Sequence, residues 1–201
     1  MICYVVRHGD KERGDFYSAR LRHQDQPLSA RGLEQAARLC AALADKPITA
    51  IYASAYQRTG QTIAALADAR GLVPVIDERL NEIDNGAIDA LPDTEVQRLY
   101  PDVWAAYKAR QSDFRFPEGE TGEEVRQRIA SLLDDLLARH ADEHVLLATH
   151  EGWMRLLLCQ ILGLPVNKRW QSYVDLCGLV EMTYEPDYGT WKLLRFNQTF
   201  P

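Results

Sequence analysis

Short apolar runs alternate along this chain with longer segments in which apolar residues recur every three or four positions. The runs have the length of buried β-strands, and the longer segments have the period of amphipathic α-helices. This alternation predicts an α/β fold in which helices cover both faces of a sheet. We expect strands at residues 2–6, 48–53, 73–76 and 145–149, followed by an antiparallel pair at 176–184 and 191–196. We expect helices from residue 29 or 30 to about 43, and at about 56–70, 94–110, 123–139 and 153–162.

Capping and helix-breaking residues set the boundaries of these elements. Gly71 ends the second helix, and Pro74 places the third strand at an edge of the sheet, because proline cannot donate to a central ladder. The pattern loosens between residues 84 and 121, which predicts a polar insertion with one helix. We therefore expect a single domain over residues 1–201, a three-layer α/β sandwich with a mainly parallel sheet and a small inserted helical cap at about 84–121. The buried face of the first helix is predicted to consist of Leu33, Ala36, Ala37, Cys40 and Leu43.

The composition is that of an ordinary globular chain, and it narrows the classes of partner. Of 201 residues, 46% are hydrophobic, which is enough for a large core. The formal net charge of −6, with dispersed lysines and arginines, argues against a nucleic-acid partner. No apolar stretch in the sequence could span a bilayer and no secretory signal precedes the first strand, so we predict a cytoplasmic protein without a membrane partner. The four scattered cysteines are expected to be reduced core residues.

Basic residues follow three of the predicted strands. Arg7 and His8 follow the first strand, Arg58 comes shortly after the second, and His150 follows the strand at 145–149. Parallel strands end at the same edge of a sheet, which is where open α/β sheets bind ligands. Two arginines and two histidines should therefore converge. That concentration of basic groups predicts an anion, and a phosphoryl group fits best because its oxygens match guanidinium forks.

Five separated motifs run through nearly the whole chain: Val6-Arg7-His8-Gly9; Pro27-Leu28-Ser29 with Gly32 and Gln35-Ala36; Ser54 with Arg58 and Gln61-Thr62; Leu80-Asn81-Glu82 with Gly86; and Thr149-His150. In this order they resemble the motifs of the histidine phosphatases, a family that also contains the cofactor-dependent phosphoglycerate mutases. Each motif alone is short enough to arise by chance. Chance would not readily place all five at the matching boundaries and in the matching order.

The resemblance implies a role for five residues. His8 would attack phosphorus and form a phosphohistidine, while Arg7, Arg58 and His150 would bind the phosphoryl oxygens. Glu82 would donate a proton to the leaving oxygen and later remove one from the attacking water. His8 has to be neutral to attack, and the neighbouring positive charges disfavour its protonation. This chemistry requires no metal and no other cofactor.

We therefore predict a metal-independent phosphomonoester hydrolase acting on a small phosphorylated substrate, for example a sugar phosphate or α-ribazole phosphate. The alternatives are a phosphoglycerate mutase-type phosphotransferase and a non-catalytic sensor of phosphate ligands. Mutases of this family generally carry longer insertions and a longer tail, and this chain ends soon after its last strand, so hydrolysis is favoured. The nucleophile and the proton donor are both present, which disfavours the sensor. Neither the natural substrate nor the oligomeric state follows from the sequence.

The chain departs from the family pattern at two places. Asp10 and Lys11 stand where the family often has Glu followed by Thr or Ser, so a hydroxyl contact is not expected there. Glu151 stands where Gly is common, and its carboxylate is expected to disfavour a second anionic group and to narrow the substrate range. Asp84 and Asp89 are rival proton donors near Glu82.

The remaining histidines, His23, His140 and His144, are expected at the surface. The insertion is expected to supply the residues that select the substrate, namely Arg98, Lys108, Arg110, Arg115, Tyr100, Trp104, Tyr107 and Phe116.

Overall fold

The computed structural model describes residues 1–200, which form eight strands, six α-helices and three short 3₁₀ helices. The strands are β1 (Ile2–Arg7), β2 (Tyr17–Ser18), β3 (His23–Gln24), β4 (Ala50–Ala53), β5 (Val75–Ile76), β6 (His144–Thr149), β7 (Leu179–Glu185) and β8 (Thr190–Gln198). The helices are α1 (Ala30–Ala42), α2 (Gln57–Arg70), α3 (Asp93–Leu99), α4 (Pro101–Ala109), α5 (Gly122–His140) and α6 (Glu151–Ile161). The 3₁₀ helices are Glu78–Leu80, Gly86–Ile88 and Val166–Gln171.

Six of the strands form one mixed sheet in the order β5-β4-β6-β1-β7-β8. The first four are parallel to one another, and β7 and β8 add an antiparallel pair at the other side. The predicted α/β fold with a mainly parallel sheet is confirmed, as is the edge position of the strand after Pro74. None of the helices within residues 1–200 is long and apolar enough to cross a membrane.

Alternation of side chains along the central strands builds the two faces of the sheet. In β1, Cys3 and Val5 point into a core formed with α5 and α6, whereas Tyr4 and Val6 point into a second core formed with α1 and α2. The neighbouring strand β6 alternates in the same way. Strands covered on both faces are apolar at every position, which is why they appear in the sequence as continuous apolar runs.

The inserted segment differs from its prediction, because the single helix expected at 94–110 is two helices. Tyr100 separates α3 from α4 with φ −133° and ψ 59°, and α4 begins at Pro101. A residue before proline is disfavoured in the helical conformation, so the first helix has to end there. Pro101 itself is well placed as the first residue of α4, where its missing N–H costs no hydrogen bond.

The buried face of α1 also differs from the prediction. Leu33 is 54% exposed, and the face that packs on the sheet contains Gly32, Ala36, Leu39 and Leu43. These residues follow a helical period, but a glycine gives no apolar signal in the sequence. The four cysteines are free thiols as predicted, with three buried and Cys40 partly buried.

Gly32 sets the distance between α1 and the turn that follows β1. A Cβ atom at position 32 would overlap the backbone carbonyl of Asp10. We expect Gly32→Ala to lower the free energy of unfolding by about 1 to 3 kcal/mol, the usual cost of overpacking. Gly60→Ala in α2 is the matched control, because no atom lies within 4 Å of its added Cβ. Urea unfolding should show that Gly60→Ala raises stability by up to about 1 kcal/mol; equal effects of both substitutions would contradict the close packing.

Candidate active site

Three parallel strands bring the predicted basic residues to one edge of the sheet. In β1, Arg7 pairs with Thr149 of β6, and the following His8 N–H donates to the Thr149 carbonyl over 3.0 Å. On the other side of β6, the Ser54 N–H donates to the Ala148 carbonyl over 3.1 Å. The chain then enters α2, whose first turn carries Arg58. The expected convergence of these strand ends is therefore observed.

His8 is almost buried, with 6% exposure, and its Nδ1 lies 2.7 Å from the Gly9 carbonyl oxygen. A carbonyl can only accept a hydrogen bond, so Nδ1 carries the proton and the lone pair of the neutral ring is on Nε2. The Gly9 N–H in turn donates to Thr62 Oγ1 over 3.1 Å, which fixes this turn against α2. Burial and the Arg58 charge are the main causes that hold the pKa of His8 well below 6.5.

His150 is fully buried behind His8, and their ring centroids are 5.1 Å apart. Its Nδ1 lies 3.2 Å from Arg58 Nη2, and its Nε2 lies 2.8 Å from Ser54 Oγ. Because a guanidinium only donates, Nδ1 accepts and the ring proton is on Nε2, facing Ser54. Burial, followed by the charge of Arg58, lowers the pKa of His150 well below 6.5.

Arg58 is 5% exposed, and its guanidinium lies 4.4 Å from the ring centroid of Tyr56. Its Nε and Nη1 have no hydrogen-bond partner. A buried guanidinium N–H without an acceptor costs folding free energy. An anionic ligand would supply the missing acceptors, so the arrangement suits an anion. Asp25 is the nearest carboxylate that pairs with this side chain, with its Oδ1 4.0 Å from Nη1.

Arg7 is held from two sides. Its Nη1 donates to the Val174 carbonyl over 2.6 Å, and its Nη2 lies 3.0 Å from a carboxylate oxygen of Glu151. Glu151 is the first residue of α6 and also forms an ion pair with Arg155, one turn later in the same helix. Arg7 therefore has a fixed orientation, and part of its charge is already compensated by Glu151.

A cavity of about 650 Å³ opens over these residues. Its wall includes four of the five residues predicted for the site, namely Arg7, His8, Arg58 and Glu82. The fifth, His150, lies outside the lining and touches the site through His8 and Arg58. Lys11 and Glu151 also line the cavity, so both departures from the family pattern face the site.

The Glu82 carboxylate lies against the N-terminus of α6. One oxygen accepts from the Trp153 N–H over 2.9 Å, and the other accepts from the Gly152 N–H over 3.1 Å. A Cβ atom at position 152 would stand 2.6 Å from a Glu82 carboxylate oxygen, so only glycine allows this approach. The chain before Glu82 is anchored by Thr149, whose hydroxyl donates to the Leu80 carbonyl over 2.6 Å. These contacts fix Glu82 at the cavity wall.

The rival carboxylates occupy different positions. Asp84 accepts from the Gly86 N–H over 2.6 Å and lies outside the cavity lining, whereas Asp89 is part of the lining. His23 stands between them, with ring nitrogens 3.3 Å from Asp84 and 3.7 Å from Asp89. His23 was predicted at the surface; its side chain is 18% exposed, and the β2–β3 hairpin places it in the cavity lining.

The basic residues of the insertion do not line the cavity. Arg98 pairs with Glu95, and Arg115 pairs with Glu124, so both are held at the outer surface. Arg110 lies over the ring of Trp170, with 5.0 Å between its guanidinium carbon and the ring centroid. The insertion contributes three other residues to the wall, Asn85, Asp89 and Ala90. Three of its aromatic residues surround an adjoining cavity of about 170 Å³: Trp104, Tyr107 and Phe116.

Some residues of the site were missed in the sequence. Ser54 was noted only as part of a motif, yet it holds the ring of His150, and Thr62 holds the turn after His8. Gly152 gives no signal of its own, although it makes room for Glu82. The motif positions of Ser54 and Thr62, directly beside Arg58, were the signal that could have found them.

The two buried histidines should make folding stability depend on pH. Both stay neutral in the folded chain below pH 6.5, where histidines of the unfolded chain become protonated, so stability is full above pH 6.5 and decreases below it. In phosphate-free buffer, we expect the free energy of unfolding to fall by about 2 to 3 kcal/mol between about pH 7.5 and 5.5. His8→Gln should remove about half of this loss. Urea unfolding curves that keep the full pH dependence in this variant would contradict the assignment.

The chain is similar to known proteins in sequence and in fold. The chain is 30% identical over 173 residues to phosphoserine phosphatase 1 of Hydrogenobacter thermophilus, which covers 85% of this chain and 81% of that protein. It is 32% identical over 188 residues to a probable phosphoglycerate mutase, GpmB, of Yersinia pestis, and the match covers 90% of this chain and 84% of that protein.

A solved structure shares the fold over almost its full length. A mycobacterial glucosyl-3-phosphoglycerate phosphatase, in complex with inorganic phosphate, is similar with a TM-score of 0.83 and 23% identity, over 98% of this chain and 97% of that one. The family model of the histidine phosphatase superfamily (branch 1) matches residues 3–199. The chain therefore belongs to branch 1 of the histidine phosphatase superfamily.

Proposed function

We propose that this protein is a phosphomonoester hydrolase that acts through phosphorylation of His8. The observation that carries the proposal is the orientation of the His8 ring in the cavity wall. Its Nδ1 bonds to the Gly9 carbonyl, so the lone pair is on Nε2, and the lowered pKa of His8 keeps this nitrogen unprotonated. Arg58, with two unpartnered nitrogens, lines the same cavity. A neutral nucleophile next to free guanidinium donors is the arrangement that phosphoryl transfer needs.

The proposed reaction has two steps. In the first, Nε2 of His8 forms a bond to phosphorus as the ester P–O bond breaks, and Glu82 gives a proton to the leaving alcohol oxygen. In the second, Glu82 takes a proton from water while the water oxygen attacks phosphorus and the P–N bond breaks. Inorganic phosphate and neutral His8 result. Because Glu82 receives a proton in the second step, the acid of the first step is restored.

Arg7, Arg58 and His150 are the proposed phosphate-binding residues. Arg58 supplies Nε and Nη1, both buried and without a hydrogen-bond partner. Arg7 is held by Val174 and Glu151, so it presents a fixed positive charge to the cavity. The Nδ1 of His150 accepts from Arg58 Nη2, so it positions this guanidinium. It can donate to a phosphoryl oxygen only when Nδ1 is protonated, and the negative charge of a bound phosphoryl group would favour that proton.

The alternative function is a phosphoglycerate mutase-type phosphotransferase, which the 32% identity to a probable phosphoglycerate mutase favours. The 30% identity to a phosphoserine phosphatase favours hydrolysis. The two are separated by measuring phosphate release from a panel of small esters against mutase activity dependent on 2,3-bisphosphoglycerate. We expect hydrolysis to dominate, and mutase turnover far above hydrolysis would refute it.

We also propose that the substrate is a small phosphate ester and that the chain acts as one domain with residues 84–121 as its cap. The cavity of about 650 Å³ has the size of a small-molecule site. The cap closes one side through Asn85, Asp89 and Ala90. An ester panel that includes a sugar phosphate, α-ribazole phosphate and phosphoserine tests this proposal. Activity restricted to phosphoproteins would refute it.

Glu82→Gln should slow the hydrolysis of alkyl phosphates by about 10² to 10⁴-fold, the usual contribution of general acid–base catalysis. An alkoxide leaves poorly without a proton, whereas nitrophenolate leaves readily. The substitution should therefore slow the first step much less for p-nitrophenyl phosphate than for an alkyl phosphate. Rapid-mixing measurement of nitrophenolate release isolates that step. Asp89→Asn is the matched comparison, since Asp89 is the rival carboxylate in the cavity wall. If Asp89→Asn shows the leaving-group dependence and Glu82→Gln does not, Asp89 is the acid.

A further inference from the structure

Glu151 places a carboxylate beside the proposed phosphate site. It lines the cavity, and its Oε2 lies 3.0 Å from Arg7 Nη2. The other terminal nitrogen of Arg7 donates to the Val174 carbonyl over 2.6 Å. Both terminal nitrogens of Arg7 are therefore engaged before a substrate arrives. The Nε of Arg7 is buried without a hydrogen-bond partner, so one donor position of Arg7 remains for the phosphoryl group itself.

The lining of the cavity as a whole has no excess of positive charge. Carboxylates outnumber the lysine and arginine side chains in its lining by four to three: Asp15, Glu82, Asp89 and Glu151 against Arg7, Lys11 and Arg58. Burial lowers the pKa of both histidines of the proposed site well below 6.5, so neither adds positive charge at neutral pH. The buried guanidinium nitrogens without a hydrogen-bond partner in the lining are Nε and Nη1 of Arg58 and Nε of Arg7. Free donors for an anion therefore belong to the two arginines of the proposed phosphate site.

We propose that Glu151 is a specificity-determining residue that restricts the substrate to phosphomonoesters whose alcohol part carries no net negative charge. This inference rests on the proposed function and names the substrate class of the same site. A carboxylate or second phosphate on the alcohol part adds negative charge beside Glu151, which already forms ion pairs with Arg7 and Arg155 and so competes with the substrate for their guanidinium groups. Neutral alcohols and zwitterionic alcohols avoid this repulsion. Phosphoglycerates carry a carboxylate, so the same residue disfavours the mutase reaction.

The test uses two esters that differ mainly in charge. Glycerol 3-phosphate has a hydroxymethyl group where 3-phosphoglycerate has a carboxylate. We expect the wild-type protein to prefer glycerol 3-phosphate in kcat/KM. Glu151→Gln should reduce this preference by about tenfold, because it removes one repulsive charge while keeping the size of the side chain. The ratio of the two kcat/KM values cancels any common effect of freeing Arg7.

Two further variants serve as controls. Glu151→Asp keeps the charge and should keep the preference, even if its overall activity falls. Glu185→Gln changes the net charge by the same amount at the end of β7, where Glu185 pairs with Lys192 at the opposite edge of the sheet. It should leave the ratio of the two esters unchanged. A similar change in Glu185→Gln and Glu151→Gln would overturn the proposal, because net charge would then be sufficient.

Salt provides a measurement that needs no variant. Raising the ionic strength screens the repulsion, so the wild-type preference should decrease with added sodium chloride. Wild-type protein that hydrolyses 3-phosphoglycerate as well as glycerol 3-phosphate would overturn the role of Glu151. Absence of any hydrolysis would instead refute the proposed function. Calorimetric titration of both esters into wild type and Glu151→Gln would then still decide whether Glu151 selects by charge.

Discussion

His8→Ala is expected to reduce phosphate release by ~10⁴-fold or more, the scale on which loss of a nucleophile lowers turnover. The reason is that Nε2 of His8 is the proposed atom that bonds to phosphorus, and its neutral form is maintained by burial and by Arg58. The measurement is steady-state release of inorganic phosphate from a small ester. Rapid acid quenching is not suitable for trapping the intermediate, because phosphohistidine is acid-labile. Alkaline quenching with radiolabelled substrate should therefore show label on wild type and none on His8→Ala.

His140→Ala is the matched control for this experiment. His140 hydrogen-bonds to the Tyr52 hydroxyl over 2.9 Å at the end of α5, away from the cavity lining. It should retain phosphate release and labelling. Label on His8→Ala would contradict the assignment of the nucleophile. Wild-type protein that binds phosphate esters without label or turnover would support the non-catalytic sensor instead.

Arg58→Met is expected to lower kcat/KM by about 10³-fold, because each preorganised donor at a developing charge is worth about 10² to 10³ and a guanidinium supplies several. Methionine retains much of the aliphatic length of arginine but has no donor for phosphate. The two buried nitrogens without acceptors, Nε and Nη1, are the atoms whose loss should matter. Calorimetry should also show weaker binding of inorganic phosphate.

Arg98→Met provides the control for the loss of one guanidinium. Arg98 forms an exposed ion pair with Glu95 in α3 and does not line the cavity. Its removal should leave kcat/KM unchanged. If Arg58→Met keeps most of its activity while remaining folded by circular dichroism, Arg58 is not the main phosphate-binding residue. The proposed mechanism would then need another cation, and Lys11, which also lines the cavity, is the next residue to replace.

The order of strands and helices could be predicted from the sequence because burial gives each element a characteristic spacing of apolar residues. β1 and β6 are covered on both faces, so their continuous apolar runs identified them and their ends located Arg7, His8 and His150. The prediction of a single helix at 94–110 was wrong for a local reason, because Pro101 disfavours the helical conformation of the residue before it and begins a second helix. The buried face of α1 was predicted only in part: Ala36 and Leu43 are buried, but Leu33 is exposed and the buried Gly32 gives no apolar signal in the sequence.

The sequence by itself determined the α/β pattern, the family motifs and the set of basic residues that should meet at one sheet edge. These depend on periodicity along the chain and on the rule that parallel strands end together. Only the tertiary structure decided how the side chains pair once they meet. Glu151 compensates Arg7, His150 faces Ser54 and Arg58, and Glu82 lies against the N-terminus of α6. Pairings of this kind depend on distances of a few ångströms between residues far apart in the chain, and no local pattern encodes them.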